Sequence, residues 1–297
     1  MEKISLSANL AVSRIIYGMW RLADDADTSA KHIQAKIEAC LEQGISTFDQ
    51  ADIYGGYRAE SLLGATLKQA PTLRNQMEVV TKCNIVAPTG IHSDKTVKHY
   101  DTSKQYITQA VDRSLQEMAI EHIDLLLLHR PDPLMDADKT GSALDSLIES
   151  GKVKNIGVSN FRPWDFELLQ SRTKSPLLTN QIEISLLENT ALTNGDLAYL
   201  QQHQVTPMAW SPLGGGRLFQ NPRSPLTAKL TEMAAAFSVD PASLAVAWLL
   251  KHPANILPVM GSNNIQRIKQ FSEALRVNLD RQSWFELFEA ANDQQVP

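Results

Sequence analysis

Four side chains suited to acid–base chemistry lie in the first half of this 297-residue chain: Asp49, Tyr54, Lys82 and His129. Asp49 and Tyr54 share one segment, five positions apart, whereas Lys82 and His129 each follow a short apolar run. Each residue alone has an ordinary structural explanation, as a loop cap, a surface charge, a core histidine or a packed ring. Their combination at the ends of apolar runs indicates a site for proton transfer.

The chemistry that suits these four residues is proton transfer to a carbonyl oxygen. A free tyrosine has a pKa of about 10 and is a weak acid at neutral pH. We expect the ammonium group of Lys82 to stabilise the tyrosinate and lower the pKa of Tyr54, while Asp49 keeps Lys82 charged and oriented. His129 would donate a hydrogen bond to the same carbonyl oxygen. Because none of these groups supplies electrons, the reaction requires a hydride-donating cofactor.

The elements that must position these residues alternate regularly along the chain. Short β-branched apolar runs predict strands at residues 15–17, 46–49, 78–83, 123–129, 153–159, 178–182, 206–210 and 256–259. Amphipathic segments between them predict helices at residues 31–43, 59–69, 104–118, 139–150, 163–170, 192–203, 226–237, 241–251 and 265–273. In the first of these helices, Ile33, Ile37 and Leu41 form one apolar stripe.

This alternation predicts an α/β protein with a single (β/α)8 TIM barrel, in which residues 1–297 form one domain. Residues 4–6 and 10–12 predict an N-terminal β-hairpin that plugs the bottom of the barrel, and residues 280–291 predict an extra C-terminal helix. Functional groups of such barrels gather at the carboxyl ends of the strands. Asp49, Lys82 and His129 end three consecutive predicted strands, so we expect them to meet at one rim.

Composition and charge exclude several classes of function. The chain has 28 basic and 33 acidic residues, a formal net charge of −5, so neither nucleic acid nor an anionic membrane is an expected partner. No apolar run approaches the ~20 residues needed to span a bilayer. No secretory leader is visible, so we expect a cytoplasmic protein. The two cysteines, Cys40 and Cys83, lack the spacing of metal ligands, and no metal site is expected.

The sequence resembles the aldo-keto reductase superfamily along essentially the whole chain. The set of Asp49, Tyr54, Lys82 and His129 carries the resemblance through its spacing and strand order. Other matching segments follow the remaining predicted strands: Gly18-Met19-Trp20, Gly157-Val158-Ser159-Asn160-Phe161, Asn180-Gln181, Trp210-Ser211-Pro212-Leu213 and Gly261-Ser262-Asn263. His129-Arg130-Pro131-Asp132-Pro133 and the Trp210-Ser211 pair look like the bacterial YdhF-type oxidoreductase branch.

The resemblance implies an NADPH-dependent oxidoreductase that reduces a small carbonyl compound, an aldehyde or ketone, with Tyr54 as the proton donor. Trp20, Tyr54 and His129 would contact that substrate. The residues implied in binding NADP are Gly18, Met19, Trp20, Ser159, Asn160, Gln181, Trp210, Ser211, Pro212, Leu213, Gly214, Gly216, Arg217, Gly261, Ser262, Asn263, Arg267 and Gln270.

The resemblance also divides these residues among the parts of the cofactor. Ser159, Asn160 and Gln181 would hold the nicotinamide carboxamide, and Trp210 would stack on the nicotinamide ring. The loop at residues 213–217 would close over the pyrophosphate. Arg267 would meet the 2′-phosphate, because a guanidinium fork matches a phosphate group. The chain departs from many members in having no lysine ahead of this arginine and no Glu-Asn pair at residues 270–271.

Two other functions stay open at this level. A lysine that ends a barrel strand is also where Schiff-base lyases hold their nucleophile, and Lys82 is such a lysine. Alternatively, some barrels of this superfamily bind nucleotides as accessory subunits with little turnover. The sequence does not define the oligomeric state and is compatible with a monomer. Tyr57 and Arg130 are expected near the mouth of the site, where an arginine favours a carboxylate- or phosphate-bearing carbonyl compound.

Overall fold

The computed structural model describes residues 1–296, and its strands close into a barrel. In chain order the strands are β1 (Lys3–Ser7), β2 (Leu10–Ser13), β3 (Ile16–Gly18), β4 (Thr47–Asp49), β5 (Glu78–Cys83), β6 (Ile85–Val86), β7 (His99–Tyr100), β8 (Leu125–Leu128), β9 (Ile156–Ser159), β10 (Leu177–Glu183), β11 (Met208–Trp210) and β12 (Leu257–Met260). Eight of them form the closed parallel barrel, in the order β3, β4, β5, β8, β9, β10, β11 and β12. The predicted (β/α)8 barrel is therefore confirmed.

Helices surround this barrel. They are α1 (Ala30–Leu41), α2 (Tyr54–Tyr57), α3 (Ala59–Gln69), α4 (Lys104–Met118), α5 (Ala137–Glu149), α6 (Pro163–Gln170), α7 (Asp196–Gln202), α8 (Pro225–Ala236), α9 (Pro241–Leu250), α10 (Ile265–Ile268) and α11 (Arg281–Asn292). Helix α4 illustrates why they form. The hydroxyl of Ser103 caps its first turn by accepting a hydrogen bond from the backbone N–H of Tyr106, and one apolar stripe, with Ile107 and Val111, is buried.

Apolar side chains fill the interior of the barrel. Leu10 and Val12 of the N-terminal hairpin belong to the same buried cluster as residues from the barrel strands, among them Val80, Leu125 and Leu257. All of these side chains are at least nine-tenths buried. The hairpin thus closes the bottom of the barrel, as predicted, and the open end of the barrel is the opposite rim.

The C-terminal helix α11 packs outside the barrel, also as predicted. The indole ring of Trp284 stacks on that of Trp248 in α9, with ring centroids 4.8 Å apart and an interplanar angle of 9°. Each indole N–H donates to the backbone carbonyl of the other residue, at 3.1 and 3.0 Å. Because both indole N–H groups are hydrogen-bonded, the stack anchors α11 without leaving a polar group unsatisfied.

Two predicted helices are shorter in the structure. Helix α7 begins at Asp196 rather than at residue 192, because Gly195 adopts a left-handed conformation with φ of 96° that interrupts the helix. Helix α10 ends at Ile268, and a 3-10 turn over Phe271–Arg276 replaces its predicted continuation. In a 3-10 turn residues three apart lie on one side, so Phe271 and Ala274 are buried together.

The sequence reasoning did not predict the hairpin formed by β6 and β7, which follows barrel strand β5 at the open rim. These strands have two residues each, too few for an alternating pattern to be visible in the sequence. Among residues 1–296 no single helix is long and apolar enough to cross a membrane. Helices α8 and α9 meet the length and hydropathy requirement only when taken together, and the chain bends by 91° between them.

Candidate active site

Three of the four predicted catalytic side chains meet in direct contact at the open rim of the barrel. Asp49 ends β4, Lys82 lies near the end of β5, and Tyr54 begins α2. The Nζ atom of Lys82 lies 2.7 Å from Asp49 Oδ2 and 2.9 Å from the Tyr54 hydroxyl. Lys82 also donates to the backbone carbonyl of Gln50, at 2.9 Å. The ammonium group thus has three oxygen partners and no exposed surface.

Two glycines let Tyr54 turn back over Lys82. Gly55 and Gly56 both have a positive φ, 59° and 64°, a backbone conformation that residues other than glycine rarely adopt. A Cβ atom at Gly55 would also lie 2.3 Å from the Cβ of Ala23. The sequence Tyr54-Gly55-Gly56 is therefore required for the tight turn that places the phenol at the rim.

Burial and charge set the protonation of this group. Burial raises the pKa of Tyr54 well above its usual value, and the charge and hydrogen bond of Asp49 raise it further. Burial lowers the pKa of Lys82, while Asp49 opposes that shift by pairing with the ammonium. The expectation of a lowered pKa for Tyr54 is thus not met in the free protein. Tyr54 stays protonated at neutral pH, which is the form that can donate a proton.

His129 stands beside Tyr54 as a neutral imidazole. The two ring centroids are 6.0 Å apart, with the rings nearly perpendicular at 78°. Burial lowers the pKa of His129 well below its usual value, and the positive charges of Lys82, Arg130 and Lys98 add to that shift. A neutral imidazole has one N–H donor, so His129 can donate one hydrogen bond into the cleft.

Asn84 fixes the backbone at His129, a role that the sequence analysis missed. Its side-chain carbonyl accepts hydrogen bonds from the backbone N–H groups of His129 and Arg130, at 2.8 and 3.1 Å, and its amide donates to the carbonyl of Arg130 at 2.8 Å. Asn84 itself has a φ of 91°. Asparagine is enriched in left-handed positions, and its place directly after β5 was the available signal.

A chain of hydrogen bonds lines the wall next to this group. Gln181 donates to Asp49 Oδ1 at 2.8 Å, and the hydroxyl of Ser159 donates to the backbone carbonyl of Gln181 at 2.7 Å. Asn160 donates to the Ser159 hydroxyl at 2.8 Å and accepts from the indole N–H of Trp210 at 3.0 Å. The residues predicted to hold the nicotinamide carboxamide and ring are therefore joined in one network.

An open cleft of about 1320 Å³ runs from this group across the rim. Most predicted site residues line it: Gly18, Trp20, Asp49, Tyr54, His129, Ser159, Asn160, Gln181, Trp210, Ser211, Pro212, Leu213, Gly216, Gly261, Ser262, Asn263, Arg267 and Gln270. A single site larger than the ~300–1,000 Å³ of typical ligand pockets suits a dinucleotide together with a second molecule.

Three predicted cofactor residues do not line the cleft. Met19 is buried beneath it, where its sulfur accepts a hydrogen bond from Gln50 at 3.4 Å. Arg217 turns away, since its guanidinium lies 3.7 Å from the carboxylate of Glu183 and donates to the carbonyl of Gly214 at 3.0 Å. Gly214 is buried within the 3-10 turn Gly214–Phe219.

The structure adds cleft residues that the sequence analysis did not assign. Arg21 and Asp24 follow β3, and Ile85 and Lys98 belong to the β6–β7 hairpin, while Phe219, Gln220, Asp240, Pro241, Ala242, Ser243 and Val246 come from the region of α8 and α9. Of the two residues expected at the mouth, Arg130 lines it and lies over the ring of Trp210, 5.7 Å from its centroid. Tyr57 instead donates to the backbone carbonyl of Ile85.

The fold and the rim define a barrel with a buried Asp–Lys–Tyr group and an adjacent histidine beside a dinucleotide-sized cleft. The sequence model of the Aldo/keto reductase family matches residues 14–292. The chain is 60% identical to a 6-dehydroglucose reductase of Agrobacterium fabrum, over all of both chains. It is 45% identical to the oxidoreductase YdhF of Escherichia coli, over 96% of this chain and 95% of that protein.

Solved structures agree in fold. The thermostable aldo-keto reductase Tm1743, in complex with the inhibitor epalrestat, superposes with a TM-score of 0.84 at 21% identity, over 98% of this chain and all of that one. An aldo/keto reductase of Klebsiella pneumoniae, in complex with NADP and acetate, gives a TM-score of 0.76 at 24% identity, over 93% and 90% of the two chains.

This chain belongs to the aldo/keto reductase family and is an oxidoreductase. The resemblance inferred from the sequence is confirmed, including its likeness to YdhF. The predicted cofactor, NADP(H), is the one that this family uses.

Proposed function

We propose that this chain reduces an aldehyde to an alcohol with NADPH and that Tyr54 is its proton donor. The observation that supports this most directly is the contact between the Tyr54 hydroxyl and Lys82 Nζ, at 2.9 Å, in a group closed on the far side by Asp49. This arrangement holds a protonated phenol beside a positive charge that stabilises the anion left after proton transfer.

Each residue of the group has a separate task in this proposal. When bound, NADPH supplies the hydride. The Tyr54 hydroxyl donates a proton to the carbonyl oxygen of the substrate, and the ammonium of Lys82 stabilises the resulting tyrosinate. His129, neutral because of burial and nearby cations, donates a hydrogen bond to the same oxygen and directs it toward Tyr54.

The residues along the cleft fit the cofactor. Ser159, Asn160 and Gln181 present polar atoms beside Asp49, where the nicotinamide must lie for the hydride to reach the carbonyl carbon. Arg267 also lines the cleft, is exposed, and forms no salt bridge with a carboxylate among residues 1–296. An unpaired guanidinium there suits a phosphate on the adenosine ribose, and an unphosphorylated ribose offers it no charge.

The substrate that we propose is a sugar aldehyde, 6-dehydroglucose. Two relatives carry the name 6-dehydroglucose reductase, at 60% identity in Agrobacterium fabrum and 39% in Novosphingobium aromaticivorans. The mouth of the cleft suits such a compound, because the half-exposed ring of Trp20 offers a stacking face for a sugar. Arg130 and Lys98 offer hydrogen-bond donors for its hydroxyl groups.

The two alternative functions receive less support. A Schiff-base nucleophile must be an accessible neutral amine, whereas Lys82 is fully buried and held by three oxygen atoms. A nucleotide-binding accessory role would not require the Asp49, Lys82 and Tyr54 group, because binding at the cleft does not involve proton transfer. We propose a cytoplasmic enzyme, a location consistent with two free buried cysteines.

The test is the substitution Tyr54→Phe, measured by consumption of NADPH with 6-dehydroglucose as substrate. Loss of the general acid should lower kcat by ~10²–10⁴-fold, while fluorescence titration should give an unchanged Kd for NADPH. The matched control is Tyr57→Phe, which removes a hydroxyl bonded to the backbone of Ile85 and Ala87 and should leave kcat little changed. Undiminished turnover in Tyr54→Phe would remove Tyr54 from the mechanism.

A further inference from the structure

A second buried lysine lies under the loop that faces the proposed 2′-phosphate position. Lys36, in α1, has no exposed surface, and its ammonium group forms an ion pair with Asp25. The same Nζ atom donates a hydrogen bond to the side-chain carbonyl of Asn263, at 3.1 Å. Asn263 lies in the loop between β12 and α10, one of the segments that line the cleft.

The Asn263 amide is held at both ends. Its carbonyl oxygen accepts from Lys36, and its Nδ2 donates to the backbone carbonyl of Arg21 at 2.7 Å. The two contacts join the Asn263 side chain to α1 and to the segment that follows β3. Asn263 therefore ties its loop to the barrel, and its side chain serves less as a ligand than as a fixed support.

The loop is fixed at two further points on either side of Asn263. The hydroxyl of Tyr17, in β3, donates to the backbone carbonyl of Ser262 at 2.9 Å. The side chain of Asn264 caps α10 by accepting from the backbone N–H of Arg267 at 3.1 Å. Because α10 is only four residues long, the position of the loop decides where the Arg267 guanidinium stands.

We propose that Lys36 is a positioning residue for recognition of the 2′-phosphate of NADP, acting through Asn263 to hold the loop and Arg267 in place. This inference rests on the proposed use of NADPH. Many family members have a lysine in the stretch that corresponds to residues 259–261, and this chain does not. Lys36, which comes from α1 and binds Asn263, would support the loop in its place.

The surroundings of Lys36 allow it to be replaced without leaving a buried charge alone. Asp25 is 14% exposed on its side chain, and its carboxylate also lies 3.2 Å from His32 Nε2. His32 in turn lies 3.9 Å from Asp27, which is exposed. Asp25 therefore keeps a partner and contact with water in the variant Lys36→Met, and the fold should persist.

The test is fluorescence titration of the full chain with NADPH and separately with NADH. For Lys36→Met we expect the Kd for NADPH to rise about tenfold, which corresponds to a coupling free energy typical of two residues in contact. The Kd for NADH should change little. The kcat at saturating NADPH should stay unchanged, because Lys36 does not touch the reacting atoms. Lys31→Met, which removes an exposed lysine from the same helix, is the matched control and should change neither Kd.

Asn263→Ala provides a second route to the same contact and leaves the buried ion pair of Lys36 intact. It should weaken NADPH binding by a similar factor, and the double variant should be no weaker than either single one. Additive losses, or equal losses for NADPH and NADH, would overturn the inference. A wild-type chain that binds neither nucleotide would overturn the proposed function as well, whereas a wild-type preference for NADPH that is undiminished in Lys36→Met would overturn this inference alone.

Discussion

Replacing Lys82 with methionine would test whether this buried lysine acts in catalysis. The substitution removes the ammonium group that contacts Tyr54 and Asp49 but keeps a side chain of similar length in a site with no exposed surface. It also leaves the negative charge of Asp49 uncompensated beside Tyr54. That charge already raises the pKa of Tyr54, so deprotonation of the phenol becomes harder still.

The distance between Lys82 Nζ and the Tyr54 hydroxyl sets the size of the effect. Opposite unit charges at 2.9 Å attract by about 6 kcal/mol at an effective dielectric constant of about 20. If about half of the charge has developed on the tyrosine oxygen in the transition state, the lost stabilisation is about 3 kcal/mol. This corresponds to a fall in kcat of about 10²-fold.

The assay is steady-state consumption of NADPH with 6-dehydroglucose, together with fluorescence titration of NADPH. Lys82→Met should lower kcat and leave the Kd for NADPH nearly unchanged. Lys36→Met is the matched control, since it also removes a fully buried lysine paired with an aspartate. It should instead weaken NADPH binding and spare kcat. A loss in kcat below about tenfold, in a folded Lys82→Met variant that binds NADPH, would refute the electrostatic role of Lys82.

Two predictions concern stability. Burial raises the pKa of Glu60 to about 7, although the hydrogen bonds from Thr81 and Ser114 oppose that shift. The folded state therefore favours the protonated carboxyl group, and the stability associated with Glu60 is fully present below about pH 4.5 and is lost as the pH rises through 7. Relative to wild type, Glu60→Gln should therefore gain about 3 kcal/mol in the free energy of unfolding between pH 4.5 and 8, measured by urea unfolding; a pH-independent difference would contradict this. Gly64→Ala should lower that free energy by about 1–3 kcal/mol, because its Cβ atom would lie 1.9 Å from the carbonyl oxygen of Glu117. An unchanged unfolding midpoint for Gly64→Ala would show that α3 and α4 can separate at no cost.

The rim could be predicted from the sequence because a parallel barrel aligns the ends of its strands. Once the alternation of strands and helices was recognised, Asp49 and Lys82 had to lie side by side, as adjacent strands β4 and β5 hold them. Tyr54 followed from its place directly after β4 and from the glycines that turn the chain back. These contacts depend on local sequence and on one regular topology.

Other parts of the site depend on contacts that no local pattern encodes. Asn84 binds the backbone of His129 across 45 positions of sequence, and its place after β5 indicates a left-handed residue but not the distant segment that it supports. The raised pKa of Tyr54 was also missed, since the pairing with Lys82 was visible in the sequence but the depth of burial was not. Arg217 was assigned to the cofactor from its place in the loop, whereas Glu183, a residue of β10, draws it away.

The two buried lysines show what finally separates a catalytic residue from a supporting one. Both Lys36 and Lys82 are inaccessible, and both pair with an aspartate, so burial and charge alone do not distinguish them. Their remaining side-chain partners do distinguish them. Lys82 contacts a hydroxyl that can lose a proton beside the open cleft, whereas Lys36 contacts an amide that does not titrate. An ammonium beside a titrating group changes the free energy of proton transfer, but beside an amide it can only fix a position. The first effect must therefore appear in kcat and the second in the affinity for the nucleotide.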